Sequence, residues 1–248
     1  MRKNTNTNSG ASGFSLLELM IVMVIVLVIS AAIFQVISLA TARSSAEQIK
    51  VDMFQEAREF MDQMSRDLRQ AGFPNPRNMD QSVFTVLSMS PALPIIDDLH
   101  AAAGLVEVTS GDLLFEGDVD GSGSVSVVHY HLALTGNNCP CLQRSQLPKI
   151  NASPLAQTPE VYQVEVQGVQ NLNIFTAYNN GNTVGLPVSV STVSGTVIAA
   201  VDTVQAMLTL QSQNIDPQTH QKPVTTLVTT VRLNNCSSAA IGYQTSCQ

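Results

Sequence analysis

An α+β fold, in which one long N-terminal helix lays its outer half on an antiparallel β-sheet, is the class this sequence predicts. Three observations carry it. Leu19 to Ala42 contains no charged residue, Ile49 to Ala71 repeats apolar side chains at three- and four-residue steps, and the chain after Pro74 breaks into short β-branched or alternating runs separated by turn residues. With 248 residues there is room for one sizeable core plus an extended element, and two large domains are not expected.

The first element begins after a polar stretch, residues 1–13, that includes Arg2 and Lys3. From Phe14 the chain turns apolar, and about 20 such residues in a helix, at a rise of about 1.5 Å each, span the hydrocarbon core of a bilayer. The positive charges precede the run, which predicts a cytoplasmic N-terminus with everything after residue 42 on the outer side. A secretory signal peptide would place its small-residue cleavage site after the apolar core. Here the order is reversed: Gly13 precedes the run, and Glu18 is its fifth residue. A carboxylate is costly in hydrocarbon, so Glu18 is a candidate functional residue; snorkelling at the membrane surface is the plainer alternative.

Beyond Ala42, the stripe Ile49, Met53, Ala57, Phe60, Met61, Met64, Leu68 and Ala71 has helical periodicity, with charged residues between its members, Asp67 among them. No proline or glycine interrupts Phe14 to Ala71, and Gly72 with Pro74 supplies the stop. The outer half of such a helix must bury its stripe on a downstream domain to be stable in water.

That domain shows eight strand-like runs: Ser82 to Leu87, Leu105 to Thr109, Asp112 to Phe115, Val125 to Leu134, Val161 to Val166, Leu172 to Tyr178, Val204 to Leu210 and Val224 to Leu233. Asn179-Asn-Gly-Asn and Val188 to Thr196 read as loop and weak strand. From Phe73 onward, five Lys or Arg stand against twelve Asp or Glu, a net of −7. That field repels phosphate, so no nucleic-acid partner is expected.

The cysteines Cys139, Cys141, Cys236 and Cys247 all follow the apolar run and lack the paired spacing of a structural zinc site, so disulfides are the better reading. On the outer side of a membrane, Cys236 and Cys247 would close a small C-terminal loop, leaving Cys139 and Cys141 to each other or to a partner; sequence leaves the three connectivities open. Asp118-Val-Asp120-Gly-Ser122-Gly-Ser124 is like the first half of a calcium loop, but its twelfth position is His129, where an acid is required. A glycine-rich hairpin turn accounts for the same residues, with calcium as the second reading. His129 and His131 share one face of a predicted strand and could share a metal; no third ligand is evident nearby, and solvent-facing histidines flanking Tyr130 are the simpler account. No GxSxG, HExxH, P-loop or GxGxxG motif is present, and nothing points to catalysis or to a cofactor.

Gly13-Phe14-Ser15-Leu16-Leu17-Glu18 closely resembles the type IV prepilin processing site. The resemblance implies cleavage after Gly13 by prepilin peptidase, N-methylation of Phe14, and pairing of Glu18 with the N-terminal amine of a neighbouring subunit. Many major pilins carry a helix-breaking glycine and proline in this first segment, where this chain has Leu27 and Gln35. Further along, Arg66-Asp-Leu-Arg-Gln-Ala-Gly-Phe73, Asp112-Leu-Leu-Phe-Glu-Gly-Asp-Val-Asp-Gly121 and Val169-Gln-Asn-Leu172 are similar to the PilW family of minor pilins, as is Val231-Arg-Leu-Asn-Asn235, with the order of its last residues altered.

That resemblance implies a pilin-like fold divided into a leader (1–13), the N-terminal helix (14–72, membrane-spanning about 14–36 and amphipathic about 43–72) and a β-rich domain (73–248). It implies a structural, non-enzymatic minor pilin of a type IV pilus, inserted in the bacterial inner membrane and acting in pilus assembly, priming or the tip complex. Its globular domain would be periplasmic before assembly and part of the extracellular pilus afterwards. The implied partners are other major and minor pilins, prepilin peptidase, the inner-membrane assembly platform and the lipid bilayer. Secretion pseudopilins of the type II system share the first helix and are the alternative, with a filament-displayed adhesin or receptor module as a third.

Overall fold

The apolar run and the amphipathic stripe form one uninterrupted helix, α1 (Leu16–Gln70, 55 residues), about 83 Å long at the standard rise. It passes through Leu27 and Gln35 without a break. The structure is a computed structural model that describes residues 13, 15–74, 86–87, 95–96, 99–100, 102–136, 139–150, 155, 161–190 and 195–234. Every side chain of α1 from Leu16 to Leu39 is exposed, whereas Ala57, Phe60, Met61, Met64 and Leu68 are buried and Ile49 and Met53 are half-buried. The predicted stripe is therefore the face that packs. Asp67, expected among the polar positions, is buried beside it.

The helix stops at the predicted place. Ala71 leaves helical geometry, and Gly72 takes φ +79°, a left-handed conformation that suits glycine. The Gly72 N–H donates to the Glu116 carbonyl at 2.9 Å, and the Asp118 N–H donates to the Phe73 carbonyl at 2.8 Å, so the chain leaving the helix is stitched to a strand. At Gly117 the backbones approach so closely that a Cβ would overlap the Gln70 carbonyl.

Twelve strands and a short second helix are described. Val86–Leu87 (β1) and Ile95–Ile96 (β2) pair as a small antiparallel ribbon. A six-stranded antiparallel sheet is built from Leu105–Val108 (β3), Asp112–Gly117 (β4), Ser126–Ala133 (β5), Cys141–Pro148 (β6), Gln163–Gln167 (β7) and Val188–Ser189 (β10), in the order β10-β3-β4-β5-β6-β7. A four-stranded sheet contains Phe175–Asn179 (β8), Asn182–Thr183 (β9), Thr203–Gln211 (β11) and Val224–Arg232 (β12), in the order β12-β11-β8-β9. The second helix, α2 (Gly195–Ala199), lies against β10 and β3. Helix α1 contacts β12, β11, β7 and β4, so its outer half touches both larger sheets. Phe60, Met64 and Leu68 join Phe115, Tyr130, Leu142, Phe175, Leu208 and Val231 in one buried cluster.

Differences from the expected strands have local causes. Of the run Ser82 to Leu87, residues 82–85 lie outside the described residues, and Val86–Leu87 is strand. The run from Leu172 becomes strand only at Phe175, because the Asn171 amide donates to the carbonyls of Asn173 and Met207 at 2.8 and 2.7 Å and its oxygen accepts from the Thr209 N–H, bending the chain first. Asn179 to Asn182 is a two-residue hairpin turn with Asn180 at φ +48° and Gly181 at φ +78°, joining β8 to β9. Val188 to Thr196, expected as loop and weak strand, holds β10 and the start of α2, with 191–194 outside the described residues.

Strand β6 was not expected, and it sits between β5 and β7. Its sequence, Cys-Leu-Gln-Arg-Ser-Gln-Leu-Pro, has no apolar alternation because Arg144 faces the helix. The guanidinium Nη2 and Nε of Arg144 reach Asp67 Oδ2 at 2.9 and 3.0 Å, and the Tyr130 hydroxyl donates to the same oxygen at 2.7 Å. Arg144 lies 5.9 Å from the Tyr130 ring centre, and Phe60 meets that ring edge-on. Burial raises the Tyr130 phenol well above its ordinary value, and the Asp67 carboxylate adds to this. A second buried pair joins Lys149 to Glu116 at 2.8 Å, with the Ala103 N–H donating to the same carboxylate.

Candidate functional site

Two regions hold the residues singled out from sequence, and the first is the start of α1. Gly13 is exposed, with nothing near the place a Cβ would occupy, and Phe14 lies outside the described residues. Ser15 is extended and occupies the N-cap position, its carbonyl accepting from the Leu19 N–H at 3.2 Å. Glu18 is exposed in the first helical turn, where a negative charge is favoured by the helix dipole. The exposed apolar surface that follows is long enough to cross a membrane, and among the described residues none covers it.

The second region is the hairpin of β4 and β5. Its connection, Asp118 to Ser124, is a turn closed by its own side chains. Asp118 Oδ2 accepts from the Gly123 N–H at 2.9 Å, Asp120 Oδ1 from the Ser122 N–H at 3.0 Å, and Ser122 Oγ from the Ser124 N–H at 3.3 Å. Gly121 and Gly123 take φ of +70° and +82°, the requirement that favoured glycine in the turn reading. Three of the oxygens a calcium ion would take thus already accept backbone N–H groups. Asp118 is buried, and Asp120 and Ser122 are exposed.

The strands on either side of that turn bring together what sequence reasoning left apart. Asp112 pairs with His131 across the ladder, and His129, two residues earlier on β5, lies on the same face. Asp112 Oδ1 is 2.5 Å from His131 Nδ1 and 3.5 Å from His129 Nε2. The expectation that no third ligand lies near the two histidines is therefore corrected: Asp112 converges on both. The Thr109 hydroxyl donates to Asp112 Oδ2 at 2.9 Å, and the Tyr162 hydroxyl lies 2.8 Å from His129 Nδ1. Burial alone would raise the Asp112 carboxyl, but hydrogen bonds with His129, His131 and Thr109 outweigh it and hold the group well below the usual carboxylate range. Tyr130, between the two histidines, points the other way into the core, as strand alternation requires.

Cys139 and Cys141 are joined by a disulfide at the entry to β6. Cys236 and Cys247 lie outside the described residues.

A model of the prokaryotic N-terminal methylation motif matches residues 8–34. No curated protein matches the chain. The matched segment is type IV prepilin-like and contains Gly13, Phe14, Glu18 and residues 16–34 of the exposed apolar helix. A motif of this kind marks a type IV pilin-like or pseudopilin-like structural protein, and with the apolar helix behind it fits anchoring in a membrane.

Proposed function

We propose that the protein is a minor pilin of a type IV pilus, inserted in the inner membrane as a prepilin, cleaved after Gly13, methylated at Phe14 and incorporated into the pilus assembly, priming or tip complex. The observation that carries this reading is the continuity of the N-terminal element: the methylation motif at 8–34 runs into a single helix whose first half is uncovered and whose second half is packed on the sheets. A bare apolar half-helix needs a solvent other than water. Lipid supplies it before assembly, and the helices of neighbouring subunits supply it in a filament.

Glu18 is the assembly residue in this mechanism. Removal of residues 1–13 leaves a positive amine on Phe14, and the Glu18 carboxylate of a neighbouring subunit neutralises it as the two helices come together. The partners are other pilins, prepilin peptidase and the inner-membrane assembly platform. The outer domain supplies surface for contacts within the assembly rather than catalysis. Calcium at Asp118, Asp120 and Ser122 is secondary to their role in the turn.

Intact mass spectrometry of protein recovered from membranes and from sheared filaments tests the proposal. The expected species begins at methylated Phe14, and assembled material that retains Met1 would overturn the reading. Processed protein that co-purifies only with a type II secretion complex would instead identify a pseudopilin.

A further inference from the structure

We propose that Asp112, His129 and His131 form a binding site for one divalent transition-metal ion of the zinc type, on the outer domain and independent of the filament role. The donor set is two imidazole nitrogens and one carboxylate oxygen, the combination that zinc takes in many three-ligand protein sites, with water as the fourth ligand. The three donor atoms lie within 4.8 Å of one another. Tetrahedral zinc, with bonds of about 2.0–2.2 Å, places neighbouring donors about 3.3–3.5 Å apart. Asp112 Oδ1 already stands 3.5 Å from His129 Nε2, and its 2.5 Å approach to His131 Nδ1 would open by about 1 Å around an ion.

The groups behind the donors favour this arrangement. The Thr109 hydroxyl donates to Asp112 Oδ2 and itself accepts from the N–H groups of Gly111 and Asp112, which leaves Oδ1 directed at the histidines. The Tyr162 hydroxyl meets His129 Nδ1, and with that nitrogen as donor, the Nε2 lone pair is directed toward Asp112. Both ligand-bearing strands belong to the six-stranded sheet and are fixed in register, so the site rests on rigid backbone. His131 and Asp112 are partly exposed, at 39% and 32% of their side chains, leaving a route for the ion and room for its water. A plain Asp–His ion pair would need only one imidazole at this carboxylate oxygen, whereas a divalent ion accounts for two.

The test uses the full-length protein in detergent, purified without a polyhistidine tag and stripped with a chelator. Equilibrium dialysis against Zn2+ should load one ion per chain at micromolar free metal. Asp112→Asn and the double variant His129→Gln/His131→Gln should each weaken binding by at least about tenfold, and Tyr162→Phe, which leaves all three donors in place, should weaken it less. Far-UV circular dichroism confirms that the variants are folded. Co2+ added to the unaltered protein provides a readout independent of mutation: the expected result is the intense visible absorption of a four- or five-coordinate ion. Failure of the wild type to bind Zn2+, equal binding by the double variant, or only the weak spectrum of six-coordinate Co2+ would each overturn the proposal.

Discussion

Replacing Asp67 with alanine should loosen the outer half of α1 from the sheets. The carboxylate is nearly buried, with 9% of its side chain exposed, and its Oδ2 receives Arg144 twice and Tyr130 once. Asp67→Ala would leave a guanidinium that is only 14% exposed with the Gln146 amide oxygen, at 2.8 Å, as a remaining acceptor, and would strand the Tyr130 hydroxyl. Breaking one side of a buried ion pair costs about 3–5 kcal/mol. In an outer domain of this size, each kcal/mol moves the midpoint by about 2–4 °C, so a fall of about 6–20 °C is expected. Tyr130→Phe deletes one hydrogen bond to a charged group and leaves the ion pair, which puts its cost nearer 1.5–3 kcal/mol, roughly half as much. Asp67→Leu combined with Arg144→Met removes both charges, and it should recover most of what either single change loses. Thermal unfolding in detergent, followed by circular dichroism, supplies the three comparisons. An Asp67→Ala protein within about 1 kcal/mol of wild type, or a double variant less stable than Asp67→Ala, would refute the pinning role.

The remaining predictions concern other parts of the molecule. Gly117→Ala should cost about 1–3 kcal/mol by forcing a Cβ onto the Gln70 carbonyl, and Gly168→Ala should cost about 1–2 kcal/mol more, because it also sits at φ +72° beside the Gln211 carbonyl. Gly181→Ala, at φ +78° with open space around it, should show only the conformational penalty; equal midpoints for all three would refute the contact argument. The Asp216 carboxyl is lowered by the Gln218 N–H first, with Thr219 and Lys50 adding to it, so its contribution is present at neutral pH and declines as pH falls below about 4. The protection factors of the Gln218 and Thr219 amides, their exchange rates taken relative to the unstructured chain at the same pH, should fall over that acidic range in the wild type and stay unchanged in Asp216→Asn. Glu18→Ala should still insert, be cleaved and fold, yet fail to cross-link to other pilins or restore surface filaments, and normal piliation would reject the charge pair. Non-reducing peptide mapping should find Cys139 bonded to Cys141 and Cys236 to Cys247, and a Cys139–Cys236 peptide would contradict both assignments.

Periodicity is what a single sequence expresses well, and the elements that obey it were legible. The apolar run, the stripe from Ile49 to Ala71 and the stop at Gly72 each follow from the identities of neighbouring residues, and the long strands β5, β11 and β12 carry enough β-branched side chains to stand out. Strand β6 was illegible for the opposite reason. Its core-facing Arg144 is tolerable only because Asp67, 77 residues earlier, comes to meet it, and Asp67 reads as an ordinary polar position until that partner is known. Each residue disguises the other, and neither departs from expectation except as a pair.

The hairpin site was legible only in part. The midpoint of Asp118 to Ser124 is Gly121, and folding the chain there would set Asp112 opposite Tyr130; the observed register lies one residue further on, with Asp112 opposite His131 and Leu114 opposite His129. Strand alternation then puts Asp112, His129 and His131 on one face and sends Tyr130 to the other. The turn reading alone therefore did not deliver the third ligand, because a one-residue difference in where the chain folds decides which face of β5 meets Asp112. A calcium reading of Asp118, Asp120 and Ser122 and a zinc reading of Asp112, His129 and His131 concern the same hairpin, but ask opposite things of it. The turn commits one oxygen each of Asp118, Asp120 and Ser122 to its own N–H groups, and the register it joins gathers donors on the strands that the ladder hydrogen bonds do not use. Shortening the turn by one residue should therefore abolish zinc binding without touching a ligand, because a one-residue slip carries His129 and His131 to the face now held by Tyr130.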